Sequence, residues 1–168
     1  KEYETFEMLM QKPPRPYTAV IGGAKISDKI EVLDELIKHV DALLIGGAMA
    51  NTFLSAAGNN MRSSKLEKSN AKDALRIIKL AKSKKVKLLL PTDVVVAKKI
   101  DTKQKGKVVM VDSLEDGDIA LDIGPDTMKV FDDVVAESNT VFWNGTLGMA
   151  ELPAFAKASD SMAHAMIS

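Results

Sequence analysis

One device occurs twice in this chain. Val20-Ile21-Gly22-Gly23-Ala24 and Leu44-Ile45-Gly46-Gly47-Ala48 each bring a continuous apolar run to an end in two glycines. Such a run reads as a strand buried on both faces, which is what a parallel sheet covered by helices demands. Between the two lies an amphipathic stretch from Ser27 to Val40. Its apolar stripe is Ile26, Ile30, Leu33, Leu36 or Ile37, and Val40, with Lys29, Glu31, Asp34, Glu35 and Lys38 facing outward. Ser27 or Asp28 fits its N-cap. Strand, helix and strand form a right-handed βαβ unit, so both glycine elbows fall at one edge of the sheet.

The rest of the chain extends the alternation. After Gly47 the sequence predicts a short helix, Met49 to Ala57, closed by Gly58, and a longer one from Ser69 to Lys84. Lys87 to Leu90 is a third buried strand. Asp93 to Ala97 and Val108 to Val111 read as a hairpin set aside from the parallel sheet. Ala120 to Pro125 looks like another strand-to-helix junction, with Asp126 or Thr127 capping a helix to Ser138. Thr140 to Trp143 is the last core strand, and a final helix spans Pro153 to Ile167. At the other end, Lys1 to Lys12 has helical spacing and is stopped by Pro13-Pro14-Arg15-Pro16. The fold class that follows is α/β: a doubly wound, Rossmann-like, mainly parallel sheet with helices on both faces. Ligands bind such sheets outside the carboxyl ends of the strands. Four junctions converge there: Gly22 to Lys25, Gly46 to Ala48, Leu121 to Pro125, and Asn144 to Glu151.

The first elbow carries phosphate chemistry. Its glycines turn the chain without a Cβ, and a helix N-terminus then offers free N–H groups to an anion. Lys25 and Lys29, four apart, would share one helix face. Taken alone, Gly-Gly-Ala-Lys reads sooner as a packing turn with solvated lysines; the repeat of the elbow brings a ligand site level with that reading. Neither G-x-x-x-x-G-K-[ST] nor G-x-G-x-x-G is present, which argues against a dehydrogenase-type domain.

Composition removes several classes. The 23 basic and 23 acidic residues balance, so no long-range field draws nucleic acid or an anionic membrane. No apolar run approaches the roughly 20 residues of a membrane helix. Cysteine is absent, which fits a reducing compartment and removes thiol chemistry. The lysines at 82, 84 and 85 lack interleaved aromatics and read as a solvated helix end. His39 and His164 have no catalytic partner at useful spacing, and Asp28 reads as a cap rather than a metal ligand. Asp93 reads as a capping acid, whereas Asp122 is open between a structural role and a place at the site edge. Nothing resembles an apolar secretory leader, and the lack of an initial methionine suggests a fragment.

In order along the chain, Ile21-Gly22-Gly23-Ala24-Lys25-Ile26-Ser27-Asp28-Lys29-Ile30, Leu43-Leu44-Ile45-Gly46-Gly47-Ala48-Met49-Ala50-Asn51-Thr52-Phe53-Leu54, Leu88 to Ala97, Leu121-Asp122-Ile123-Gly124-Pro125 and Trp143-Asn144-Gly145 resemble phosphoglycerate kinase. The resemblance implies reversible phosphoryl transfer between 1,3-bisphosphoglycerate and ADP, giving 3-phosphoglycerate and ATP with Mg²⁺. It implies a cytoplasmic, monomeric parent enzyme of two domains that close about a hinge. On this reading 1–16 is an interdomain helix and linker remnant, and 17–168 is the nucleotide-binding domain, incomplete at its C-terminus. Gly23, Ala24, Gly47, Leu66 and Leu121 would then line the adenosine pocket. Lys25 and Lys29 would meet the phosphates, with Lys25 stabilising the transferring group, and Asn144 and Glu151 would complete the phosphate and ribose sides. The metal would be carried by Mg-ADP or Mg-ATP. Ala48, Thr146 and Ala150 depart from the family's pattern. The acyl-phosphate partner would bind a domain this chain lacks, so the chain alone is expected to bind nucleotide weakly and to transfer nothing. The alternative is a non-catalytic nucleotide-binding or regulatory domain.

Overall fold

The computed structural model describes residues 11–167 together with Glu7; the helix expected over Lys1 to Lys12 lies almost wholly outside the described residues. Four strands make a parallel sheet: β1 (Tyr17–Ile21), β2 (Ala42–Ile45), β3 (Lys87–Leu89) and β7 (Thr140–Asn144), in the order β3-β2-β1-β7. The connecting helices are α1 (Ile30–Leu36), α2 (Gly47–Ala56), α3 (Ala71–Ser83), α4 (Pro125–Ala136) and α5 (Lys157–Ala165). Alternate strand residues feed two cores. Tyr17, Ala19, Ile21, Leu43 and Ile45 pack on α1, α2 and α3 through Leu33, Phe53 and Ile77. Val20 and Leu44 face the other way, onto Phe131 of α4 and Met162 of α5. Burial on both faces of the central strands β1 and β2 is the reason their apolar residues run on rather than alternate. The edge strands β3, expected as buried, and β7 are only half-buried, with Lys87 and Asn144 exposed.

Register sets where the site falls. Ile21 lies opposite both Ile45 and Asn144, so three strands reach the carboxyl edge at one level.

A second, antiparallel sheet has the order β5-β4-β6, built from β4 (Asp93–Ala97), β5 (Lys107–Met110) and β6 (Ile119–Ile123). The β4–β5 hairpin is as expected. β6 differs: it was expected as a junction of the parallel sheet, and it pairs antiparallel with β4 across an irregularity between Val95 and Val96. A strand running into a helix looks the same in either sheet, because the direction of its neighbour is a long-range property.

Two caps also differ from local expectation. α4 is capped by neither Asp126 nor Thr127, but from β4 by Asp93, which is 1% exposed. The Asp93 carboxylate accepts the Asp126 N–H (3.0 Å), the Thr127 N–H (2.9 Å) and the Thr127 hydroxyl (2.6 Å). It serves the orphan donors of a helix start distant in sequence. α1 begins only at Ile30, with Lys29 as its N-cap and no side-chain cap. Lys25 and Lys29 therefore precede the helix, and neither lies on its face.

Candidate functional site

The three level strand exits interlock through their backbones. The Gly22 N–H donates to Asn144 O, the Gly23 N–H to Thr146 O and the Gly47 N–H to Leu147 O, each at 2.9 Å, while the Met49 N–H reaches Gly23 O at 3.0 Å. There is no space between the chains for side chains. A Cβ on Gly22 would stand 2.1 Å from Thr146 O, and one on Gly47 2.4 Å from Gly23 O, where φ is also +67°. The packing requirement for the glycines is real. It brings Gly23, Ala48 and Thr146 of the three exits side by side.

These exits border a cavity of about 230 Å³. Gly23, Ala24 and Ala48 supply its elbow side, Ile119, Ala120 and Leu121 of β6 one wall, and Thr146, Gly148, Met149 and Glu151 of the β7 exit another. Lys65 and Ile100 complete the rim. A bond from Met149 N–H to Leu121 O (2.7 Å) ties the β7 exit to β6. Of the anticipated residues, Gly23, Ala24, Leu121 and Glu151 border this cavity together. Gly47 lies behind it, on a narrow void shared with Leu121 and Leu147. Leu66 does not border it; that side chain packs against the cluster containing Leu54, Met61 and Val94. Lys65, Ile100 and Met149 were not anticipated. Only Ile100 leaves a trace in the sequence, as a lone apolar residue opening a polar turn, and it is 52% exposed.

The remaining candidates stand beside the cavity. Lys29 folds back so that its ammonium donates to Gly22 O (3.0 Å) and to Asn144 Oδ1. Burial lowers its pKa, against the opposing charge of Asp28. Lys25 is exposed on the same loop. That loop is held in place by Glu67, whose carboxylate accepts the Ser27 hydroxyl (2.6 Å) and the Ser27 N–H (3.1 Å). Burial works to raise the Glu67 pKa, but the bonds from Ser27 and the charge of Lys25 bring it below the usual carboxylate range. The segment carrying Lys65 is pinned as well. Asn51 Nδ2 donates to Lys65 O (3.1 Å), the Ala120 N–H to Ser64 Oγ (2.9 Å) and the Glu67 N–H to Thr52 Oγ1 (3.0 Å).

Behind the β6 wall sits Asp122, 5% exposed, accepting from the Ile123 N–H (2.9 Å) and from the Ala158 N–H at the start of α5 (3.2 Å). Burial pushes its pKa up to about 7, with the two N–H groups opposing and the charge of Asp160 adding. Asp122 is thus a buried support of the wall rather than a lining residue of the cavity.

Chemically, this is an apolar slot next to a loop bearing two lysines. Among the described residues no cluster of three or more His, Asp or Glu side chains is placed to hold a metal ion. No helix among the described residues is long and apolar enough to cross a membrane.

Known proteins place the architecture. A family model described as phosphoglycerate kinase matches residues 1–168. Phosphoglycerate kinase of Desulfosudis oleivorans is 44% identical over 166 residues, covering 99% of this chain and 42% of the relative. That of Moorella thermoacetica is 45% identical over 166 residues with the same coverage. The solved phosphoglycerate kinase of Coxiella burnetii superposes with a TM-score of 0.96 at 34% identity, over 98% of this chain and 42% of that one. The chain therefore spans well under half the length of the relatives it matches. Fold, motif order and likeness over the whole chain agree, and the chain belongs to the phosphoglycerate kinase family.

Proposed function

We propose that this chain is the nucleotide-binding part of a phosphoglycerate kinase, taking Mg-ADP or Mg-ATP with the base in the cavity and the phosphates toward Lys25 and Lys29. The observation that carries this reading is the adjacency of an apolar slot to a lysine-bearing loop at three level strand exits. The apolar walls remove the faces of a base from water, and the lysines neutralise the polyphosphate. Phosphoryl transfer needs little covalent help; it needs placement and positive charge on the equatorial oxygens. Lys25, exposed on the loop, supplies that charge to the transferring group in this reading. Lys29 and Asn144, already bonded to each other, hold the inner phosphate side, and Glu151 the ribose side. Gly23, Ala24 and Leu121 line the slot for adenosine, and Gly47 supports it from behind by letting the strand exits close together. Leu66 acts only at a distance, by packing behind Lys65. The phosphoglycerate partner is bound by a part of the relatives that this chain does not span. The chain by itself binds nucleotide weakly and transfers no phosphoryl group.

Trp143 is the reporter for the test, because its indole N–H donates to Gly145 O (2.8 Å) on the site loop. Titration with Mg-ADP should give a saturable change in its fluorescence. Lys25→Ala should weaken that binding by about 1.5–3 kcal/mol, the scale of a charged hydrogen bond. That corresponds to roughly 10- to 150-fold in Kd. A response to NAD instead of ADP, or no dependence on Lys25, refutes the placement.

A further inference from the structure

Among the described residues, Lys65 is the only cation in the lining of the cavity, and it stands where resemblance had placed its neighbour Leu66. Its backbone is fixed from both sides by buried polar groups: Asn51 holds its carbonyl, and Ser64 and Thr52 hold the residues around it. The side chain itself is exposed. The wall beside it is apolar, through Ile119 and Leu121, and matches the face of a flat heterocycle rather than a phosphate. The phosphate-directed lysines lie on a different loop, outside the cavity.

An ammonium group offers donors only. Any base edge turned toward Lys65 must therefore present acceptors. A 6-oxopurine presents two, O6 and N7, side by side, and lysine pairs with that edge. Adenine presents N7 beside a 6-amino donor, which opposes an ammonium. We propose, resting on the nucleotide reading above, that Lys65 reads position 6 of the purine and biases this site toward guanine and hypoxanthine nucleotides relative to an otherwise identical site with an apolar residue there.

The test is titration of the chain with Mg-ADP, Mg-GDP and Mg-IDP, for the wild type and Lys65→Met, which keeps an unbranched apolar stem and removes the donor. Circular dichroism checks that the exposed substitution leaves the fold intact. The expected result is a loss of about 5- to 10-fold in affinity for GDP and IDP alike, with ADP unchanged or tighter. IDP lacks the 2-amino group, so its parallel loss assigns the effect to position 6. An equal loss for all three nucleotides makes Lys65 a general electrostatic contact and overturns the proposal, as does no change at all. If ADP saturates the wild type normally and only the ratio fails to move, the base-reading role falls while the nucleotide site stands. If none of the three binds the folded wild type, the nucleotide reading itself falls.

Discussion

Replacing Asp122 by asparagine should flatten the pH dependence of stability, and the size of the effect follows from its surroundings. Folding moves the Asp122 pKa from 3.8 to about 7. The folded pKa is the raised one, so the folded chain keeps a proton that the unfolded chain releases across this window. The stabilisation is fully present below the unfolded value and is lost as the pH rises through about 7. A shift of about 3 units at about 1.36 kcal/mol each is about 4 kcal/mol. At 5% exposure little solvent screening reduces it. Urea unfolding followed by Trp143 fluorescence and circular dichroism, at about pH 4.5 and about pH 8, measures the loss in both proteins. At about pH 4.5 the unfolded carboxyl is already largely ionised, so the wild type should lose about 3 kcal/mol more than Asp122→Asn across that interval. Depressed acids such as Glu67 and Asp118 give the opposite slope, but they do so in both proteins and cancel in the difference. The asparagine has one acceptor oxygen for two N–H donors, so a pH-independent cost of about 1 kcal/mol is expected as well. Parallel stability curves for the two proteins would refute the reasoning. A wild type that gained stability toward high pH relative to the variant would show that the Ile123 and Ala158 N–H groups outweigh burial and hold Asp122 ionised.

Asp93→Ala should destabilise the chain by about 2–4 kcal/mol, since it strips the α4 start of its cap and leaves buried donors unpaired. Thermal unfolding reads this as a lower midpoint, and an unchanged midpoint would remove the capping role. Gly47→Val combines a positive φ with a clash on Gly23 O at 2.4 Å and should leave no cooperative unfolding transition; a folded, cooperative variant would show that the elbows can separate.

The parallel sheet was legible because burial on both faces writes itself into continuous apolar runs. The bounds of β1, β2 and β4 follow directly from Tyr17 to Ile21, Ala42 to Ile45 and Asp93 to Ala97. What was not legible depends on partners far along the chain. β6 carries the apolar run and helix start of a parallel junction, but its neighbour is β4, and only the tertiary fold settles that. Ser27 has the chemistry of an N-cap, yet its hydroxyl and N–H are taken by Glu67, forty positions away, and the helix starts later. Asp93 was readable as a capping acid by type; which helix it caps was not.

The site follows the same division. Its glycines left two readings open, a packing turn or a ligand floor, and the interlocked exits remove the opposition between them. Gly22 and Gly47 are glycine because Thr146 O and Gly23 O occupy the space of their side chains. That close packing brings the Lys25 loop, Ala48 and the β7 exit to one rim. The walls are different in kind. Lys65 and Leu66 are adjacent in an irregular stretch where neither a period of two nor one of 3.6 residues tells which side chain turns inward. Their orientation is decided by Asn51, Thr52 and Ser64, polar groups buried beneath them. A resemblance carries a role to a loop. The hydrogen bonds under that loop set how two neighbours lie, and here Lys65 borders the cavity while Leu66 packs on the core.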